Sequence, residues 1–503
     1  MKKLLNRLII PLTALCLLYF ILSVLVMKPA FQDDAFITFI YAENFRNGHG
    51  FAYNRGEFVE GFSSPLYTLL LGAVSWAVPA GIPSLSIIIA VISGMLCIIL
   101  LYTMIRSLNS TEGLSAFCAM LVFTVFSPFL AETMQGMETV MYIFLITALI
   151  YTETNNTNRW IAKILYSAII LTRPEGFFLL AGYFAFKSFF DRKHIHNLTF
   201  SLIFYLALIS MRYAYFGDFF PNTFYAKTPF SLDLLKDGIS SNLIFFRKAL
   251  PLMSGLVLMT ALKARDLCKK RFILLYPAIF YIAFNSYIGG GFKFTHRYDI
   301  FALPCYTILF GLTVHHISSW IKKTHIKRVV LVVLVISAVL YHHYSFRRAS
   351  GFHEARKTVI KRQIEFALYL KSSYPADTVL STGQAGAIKY FSGFDNIDML
   401  GLCDRHIAKG RFDDRGLNLA GHLKGDGKYI LARKPDIILF HNGLFSKEPL
   451  DSSDVKDRVL SRQMFSGWLS EIEIMQSLEF WSDYRFRREK MSDFYVHYFE
   501  KTG

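Results

Sequence analysis

The chain has 503 residues, 53% of them hydrophobic, and carries 54 Lys and Arg against 37 Asp and Glu, for a net charge of +17. Apolar blocks of about 16–22 residues recur up to about residue 345, a length that spans a bilayer core, so a soluble globular class is excluded and a mainly α, polytopic membrane protein is expected. Much of the positive excess lies in short loops between these blocks, which makes anionic lipid headgroups, and not nucleic acid, the expected partner of the charge.

The opening MKKLLNR looks like the charged start of a signal peptide, but the apolar run continues to Met27 and no small-x-small site follows. It reads as an uncleaved first helix with its N-terminus in the cytoplasm. Next comes FQDDAF, residues 31–36, which puts two carboxylates beside a membrane segment. Residues 34–47 have the pattern of a short amphipathic helix along the interface, with Phe36, Phe39, Ile40 and Phe45 on one face. One Asp at its start can cap the helix, and the second is then free for chemistry.

Residues 64–79, SPLYTLLLGAVSWAVP, open and close with proline and are short for a span. Three basic loops, 187–193, 263–271 and 322–328, are assigned to the cytoplasm by their Lys and Arg content. Counting outwards from them puts both ends of 64–79 on the outside, so this segment is expected to be a re-entrant or interfacial helix. The same count gives about 11 spanning helices.

It also puts the unusual polar stretches on one outer face: QDDAF, ETMQGMET, TRPEG, GDFFPNTFYAK and GGGFKFTHRYD. Charged residues at membrane depth are functional candidates. Arg173, in a tight Arg-Pro-Glu turn, suits a phosphate, and Lys227, Lys293, His296 and Arg297 add cations on the same side. Each also fits the role of an interface anchor. Glu138 opens a helix, where it serves either the helix dipole or a substrate. No Cys-x-x-Cys or His/Cys cluster suggests a metal, and Cys403 is the one cysteine of the C-terminal region, which leaves no disulfide within it.

From about Arg347 charges become dense and apolar runs short. Residues 352–372 read as an amphipathic helix, 377–382 as a strand, 383–392 as a turn and helix, NIDML as a strand, 427–434 as a helix and 436–440 as a strand. The β-α-β rhythm predicts an extracytoplasmic α/β domain over residues 346–503, after a transmembrane domain over 1–345 whose first outer loop is 28–64. Gly383-Gln384-Ala385-Gly386 is not a full dinucleotide fingerprint. Binding an acceptor glycan or shaping the mouth of a site is the expected role of this domain.

The stretch DDAFITFIYAENFRNGHGFAYNRGEFVEGFSSPLYTLLL resembles the first outer loop of GT-C membrane glycosyltransferases, and looks most like the terminal arabinofuranosyltransferase group. Its features are Asp33 to Ile37, Gly48 to Gly50, Asn54 to Gly61 and Ser63 to Leu66. QGMET, LTRPEG, RYAYFGDFFPNTFYAK, IDMLGLCDRHIA and ARKPDIIL are similar to the same group. The resemblance implies transfer of a sugar, with a pentofuranose such as arabinose as a candidate, from a polyprenyl-phosphate donor to a cell-envelope glycan or lipopolysaccharide outside the cytoplasmic membrane. It implies an acidic residue of this loop, Asp33 or Asp34, as general base or acceptor-positioning group, with Asp33 favoured because Asp34 can cap the helix, and no metal cofactor. Arg173, Lys227, Arg297 and His296 are then expected at the donor phosphate, and Glu60, Glu138, Asn222 and Tyr225 at the substrate. HRYDIFALP stands where an RF-x-x-P piece is expected, so the donor sugar stays open. The rival readings are a lipid-linked-sugar transporter, which needs polar groups on both faces, and a non-catalytic glycan-assembly partner.

Overall fold

The computed structural model describes residues 2–109, 113–155, 158–227, 231–269, 272–290, 296–410, 423–441, 444–461 and 468–502. Chain contacts divide it into two compact units. The first comprises residues 1–30, 84–206 and 230–355, and the second 31–83, 207–229 and 356–503.

The first unit is helical. Among the described residues four helices are long and apolar enough to cross a membrane: Ile82–Leu108, His194–Phe216, Asp299–Trp320 and His325–Ser345. Two bent pairs raise this to six, Ser115–Thr124 with Ser127–Thr133 at 55° and Leu232–Lys248 with Leu250–Thr260 at 98°. The expected 11 came from counting every apolar block except 64–79 as a span. Several blocks are shorter helices: Thr139–Asn155 with 17 residues, Arg159–Thr172 with 14 and Gly176–Ser188 with 13. At 1.5 Å per residue these run about 20–26 Å, less than a hydrocarbon core of about 30 Å. The block 243–262, read as one span, is broken at Ala249 between two helices. The block 328–345 belongs to one uninterrupted helix, Thr324–Ser373, because no proline follows it where the charge density rises.

The second unit carries a six-stranded sheet. Its strands are β1 (Val379–Thr382), β2 (Asp395–Asp398), β3 (Ile437–Leu439), β4 (Phe445–Ser446), β5 (Tyr484–Lys490) and β6 (Tyr495–Lys501). β1 lies between β2 and β3 and is parallel to both. β6 runs antiparallel, with β3 and β4 along one edge and β5 along the other. Apolar residues alternate between two cores: Ile438 packs with Ile397, Ile430 and Phe499, while Ile437 and Leu439 pack with Leu380, Ile388 and Val496. Burial on both faces explains why DIIL has no polar alternation. The strands and helices expected from residue 377 to 440 are present, with helices at Ala387–Ser392 and Gly427–Ala432.

The helix Asp33–Arg46 belongs to this unit. It was expected to lie with one apolar face covered, but every residue from Ala35 to Ala42 is buried. The reason is packing on several sides. Gly72 of the helix Pro65–Ala77 comes close to Ala42 and Phe45, the Trp76 indole N–H donates to the Arg46 carbonyl at 3.1 Å, and Phe36 meets Tyr390 and Phe391 at 5.5 Å. Pro65–Ala77 has 13 residues, about 20 Å, which is too short for a simple span, as expected of this segment.

Candidate functional site

Asp33 and Asp34 occupy the first turn of the helix Asp33–Arg46, where the backbone dipole favours negative charge. Neither caps it by a side-chain hydrogen bond; the N-cap is Gln32, whose side chain makes no capping hydrogen bond either. This corrects the expectation that Asp34 holds the helix. Asp33 is half-buried, and its carboxylate reaches a different segment. Oδ2 accepts from the Gly386 N–H at 3.0 Å and Oδ1 from the Ala387 N–H at 2.8 Å. Burial pushes the Asp33 carboxyl up to about 6, with the neighbouring Asp34 charge adding to the shift and the two amides opposing it. Asp34 is exposed, and its side chain makes no hydrogen bond to the described residues.

Around this contact the first-loop and C-terminal motifs form one buried network. The Tyr53 hydroxyl donates to the Ala385 carbonyl at 2.5 Å and accepts from Asn396 Nδ2 at 3.0 Å. Asn54 makes a two-point pair with the main chain of Asn396: Nδ2 donates to its carbonyl and Oδ1 accepts its N–H, both at 3.0 Å. Gln384, in the Gly-Gln-Ala-Gly turn, is held by the Gln363 amide at 2.8 Å and faces His441 Nδ1 at 2.9 Å. Tyr53, Ala385 and Cys403 share an apolar cluster with Ile37, Ile40 and Tyr41 of the Asp-Asp helix.

Glu60 is buried and takes Arg212 Nε on both oxygens, at 3.1 and 3.0 Å. Burial pushes its carboxyl up to about 7 although Arg212 pulls it down. Its carbonyl accepts the Asn222 N–H at 2.9 Å. Asn222 is buried too, and its Nδ2 donates to the carbonyls of Gly401, Leu402 and Asp404 at 2.7–3.1 Å. The Lys409 ammonium sits 4.8 Å from the Tyr225 ring centroid and pairs with Asp218. Lys227 is exposed. A cavity of about 630 Å³ opens beside these residues, with Glu57, Phe58, Asp404, Arg405, His406, Lys409, Tyr429 and Arg433 in its wall.

The first unit holds a second polar cluster. Arg173 is buried, with Nη1 donating to Glu138 and Nε to Glu175, both at 2.5 Å, and its guanidinium packs on the rings of Tyr298 and Phe301. Arg297 donates to Glu138 at 2.6 Å and to the Thr139 hydroxyl at 3.0 Å. Burial acts against the Glu138 carboxylate, but Arg297 and Arg173 together hold its carboxyl below the usual range. His296 lies between Lys248 Nζ at 3.2 Å and Asp299 at 3.3 Å, and Asn285 donates to Asp299 at 3.0 Å. Three residues expected at a phosphate or substrate, Glu138, Arg173 and Arg297, therefore meet. Arg173 is already neutralised by two carboxylates, whereas the Arg297 side chain keeps 15% exposure. Lys293 lies outside the described residues. Among the described residues no three His, Cys, Asp or Glu side chains gather as metal ligands.

Sequence reasoning missed Arg212, Lys248, Asn54, Asn396, Gly386 and Ala387 as site residues. Asn54 and the Gly-Gln-Ala-Gly turn were visible as motifs, but their pairing joins residues more than 300 positions apart. Lys248 looked like one end of a continuous span.

Residues 353–496 match a family model described as a domain of unknown function, DUF8728. No curated protein matches the chain. Among solved structures it is similar to ArnT from Cupriavidus metallidurans bound to undecaprenyl phosphate, at 11% identity and a TM-score of 0.51, covering 78% of this chain and 86% of that one. It is likewise similar to ArnT from the same organism in the apo state, at 13% identity and a TM-score of 0.50, covering 78% and 85%. Identities this low speak to architecture alone: the chain shares the overall fold of these ArnT structures.

Proposed function

We propose that the protein is a polyprenyl-phosphate-dependent glycosyltransferase acting on the outer face of the cytoplasmic membrane, with its N-terminus in the cytoplasm and residues 346–503 outside. Asp33 removes a proton from an acceptor hydroxyl, the freed oxygen attacks the anomeric carbon, and the bond from that carbon to the phosphate oxygen breaks. Polyprenyl phosphate leaves with the electron pair. Its charge is assigned to Arg297, with Arg173, His296 and Lys227 as the further cations expected there. A monophosphate leaving group stabilised by cations asks for no metal. A pentofuranose such as arabinose is the candidate sugar by the family resemblance, with a cell-envelope glycan or lipopolysaccharide as the acceptor.

The observation that carries this reading is Asp33: an acidic residue in the first loop of a GT-C fold, half-buried, fixed by two amides, with its carboxyl near 6. A base with that value is almost fully ionised at pH 7 and still accepts a proton readily. The ArnT structure with undecaprenyl phosphate supports the donor class. The cavity beside Phe58 and Tyr429 combines flat aromatic surface with carboxylate and guanidinium groups, a wall suited to a polyhydroxylated acceptor. Glu60 and Asn222, both buried, shape that region from behind, while Tyr225 and Glu138 remain assigned to the substrate.

The test uses proteoliposomes loaded with undecaprenyl-phosphate [¹⁴C]arabinose and an envelope-glycan extract. The proposal expects label to leave the lipid and join the glycan, with release of undecaprenyl phosphate. Label that changes leaflet while still attached to lipid would overturn it in favour of a transporter.

A further inference from the structure

We propose that the domain of unknown function is a working part of the transfer site, and that Gly386 and Ala387 are positioning residues that aim the Asp33 carboxylate through their main-chain amides. The inference rests on Asp33 being the base. Two parallel N–H donors fix both the direction and the rotation of a carboxylate, which one donor cannot do. The approach is so close that only glycine fits at 386. A Cβ there would lie 2.0 Å from the Asp33 carbonyl oxygen and 2.8 Å from its Cγ, closer than any real side chain packs.

A need to finish the short helix Ala387–Ser392 does not explain the arrangement. A Ser or Asp at its N-cap would take the N–H groups two or three residues further on, not those of 386 and 387, and the N-cap here is Gly386, with no side chain to offer. The donors are left for a carboxylate 353 positions away. The turn itself is immobilised on three sides, by Tyr53 on Ala385, by Gln363 on Gln384, and by the Thr382 hydroxyl accepting the Gln384 N–H at 3.1 Å. Such backing is what a group that must hold position within a fraction of an ångström requires.

The amides also favour the ionised carboxylate, against burial and the Asp34 charge. The other titratable groups near it are engaged elsewhere. The Tyr53 hydroxyl is bound to Ala385, Tyr390 packs on Phe36 and Phe39, and the Lys389 ammonium is turned to the Phe394 carbonyl and Asp395. Loosening the clamp therefore moves the base to a higher pKa.

The experiment is the pH–rate profile of full-length protein with undecaprenyl-phosphate [¹⁴C]arabinose, for wild type, Gly386→Ala, an ester variant with lactic acid in place of Ala387, and Asp33→Asn. Replacing Ala387 by lactic acid turns its N–H into an ester oxygen and deletes one donor without adding an atom beside the carboxylate, so it serves if Gly386→Ala fails to fold. Gly351→Ala, at an exposed glycine with open space around it, is the control and keeps wild-type turnover. The clamp predicts a fall in kcat of about tenfold or more with donor KM held within about twofold. It also predicts an acid limb moved to higher pH by about half a unit or more. Inactive Asp33→Asn alongside folded Gly386→Ala and the ester variant at 387 with wild-type kcat and pH profile would overturn the clamp and leave Asp33 as base. An active Asp33→Asn would overturn the reading on which the clamp rests.

Discussion

At the residue scale, four carboxyls of the second unit share one feature: burial outweighs the hydrogen bonds they receive. Asp33 is pushed up to about 6, and Glu60, Asp398 and Glu471 to about 7. Asp398 rises despite accepting the N–H groups of Cys403 at 2.8 Å and Leu400 at 3.0 Å, and Glu471 despite those of His441 and Trp468. In the unfolded chain such groups titrate near about 4. Their folded values are raised, so the folded state takes up protons first as pH falls. The stability these groups contribute is complete below about pH 4 and is lost as pH rises through 6 to 7. We expect the melting temperature in detergent to rise between pH 8 and pH 6, and Glu60→Gln to flatten that slope. A melting temperature that falls steadily on acidification over this window would refute the assignment.

At the element scale, β2 is an edge strand of the sheet, and edge strands leave main-chain groups to be covered. Asn54 does this with its side-chain amide, copying the two-point pairing of a neighbouring strand at Asn396. It also donates to Glu57 at 3.0 Å. Asn54→Ala should cost about 2–4 kcal/mol of stability, since three hydrogen bonds go and a buried N–H and carbonyl are stranded. Hydrogen exchange is the check: residues 395–398 should lose protection while 437–439 keep theirs. Unchanged exchange at Asn396 would show that the pairing does not carry the edge.

This pairing also marks where sequence reading stops. The strand at 436–440 and the helix at 427–434 were legible because local pattern and burial agree there. The start of the Asp-Asp helix was legible from its acidic first turn. Its burial on all sides was not, because Gly72, Trp76, Tyr390 and Phe391 come to it from other elements. The partner of Asp33 was illegible for the same reason: a main-chain amide has no residue signature, and the one sequence trace of it is the glycine at 386. The long helix Thr324–Ser373 was cut near 345 because composition changes there, yet composition does not end a helix unless proline or a cap does.

At the scale of the whole molecule, the fold and the chemistry are separate questions. The architecture resembles that of ArnT, and an architecture hosts a reaction only through particular residues. Here the sequence offers an adjacent pair of acids, and the structure treats them differently: Asp33 is half-buried and held, Asp34 exposed. The most direct measurement is transfer of labelled sugar from undecaprenyl phosphate by purified wild type, Asp33→Asn, Asp34→Asn and the double variant. The account predicts transfer by wild type, a loss of roughly a hundredfold or more in kcat for Asp33→Asn and the double variant, and a smaller loss for Asp34→Asn. Full transfer by the double variant would contradict it.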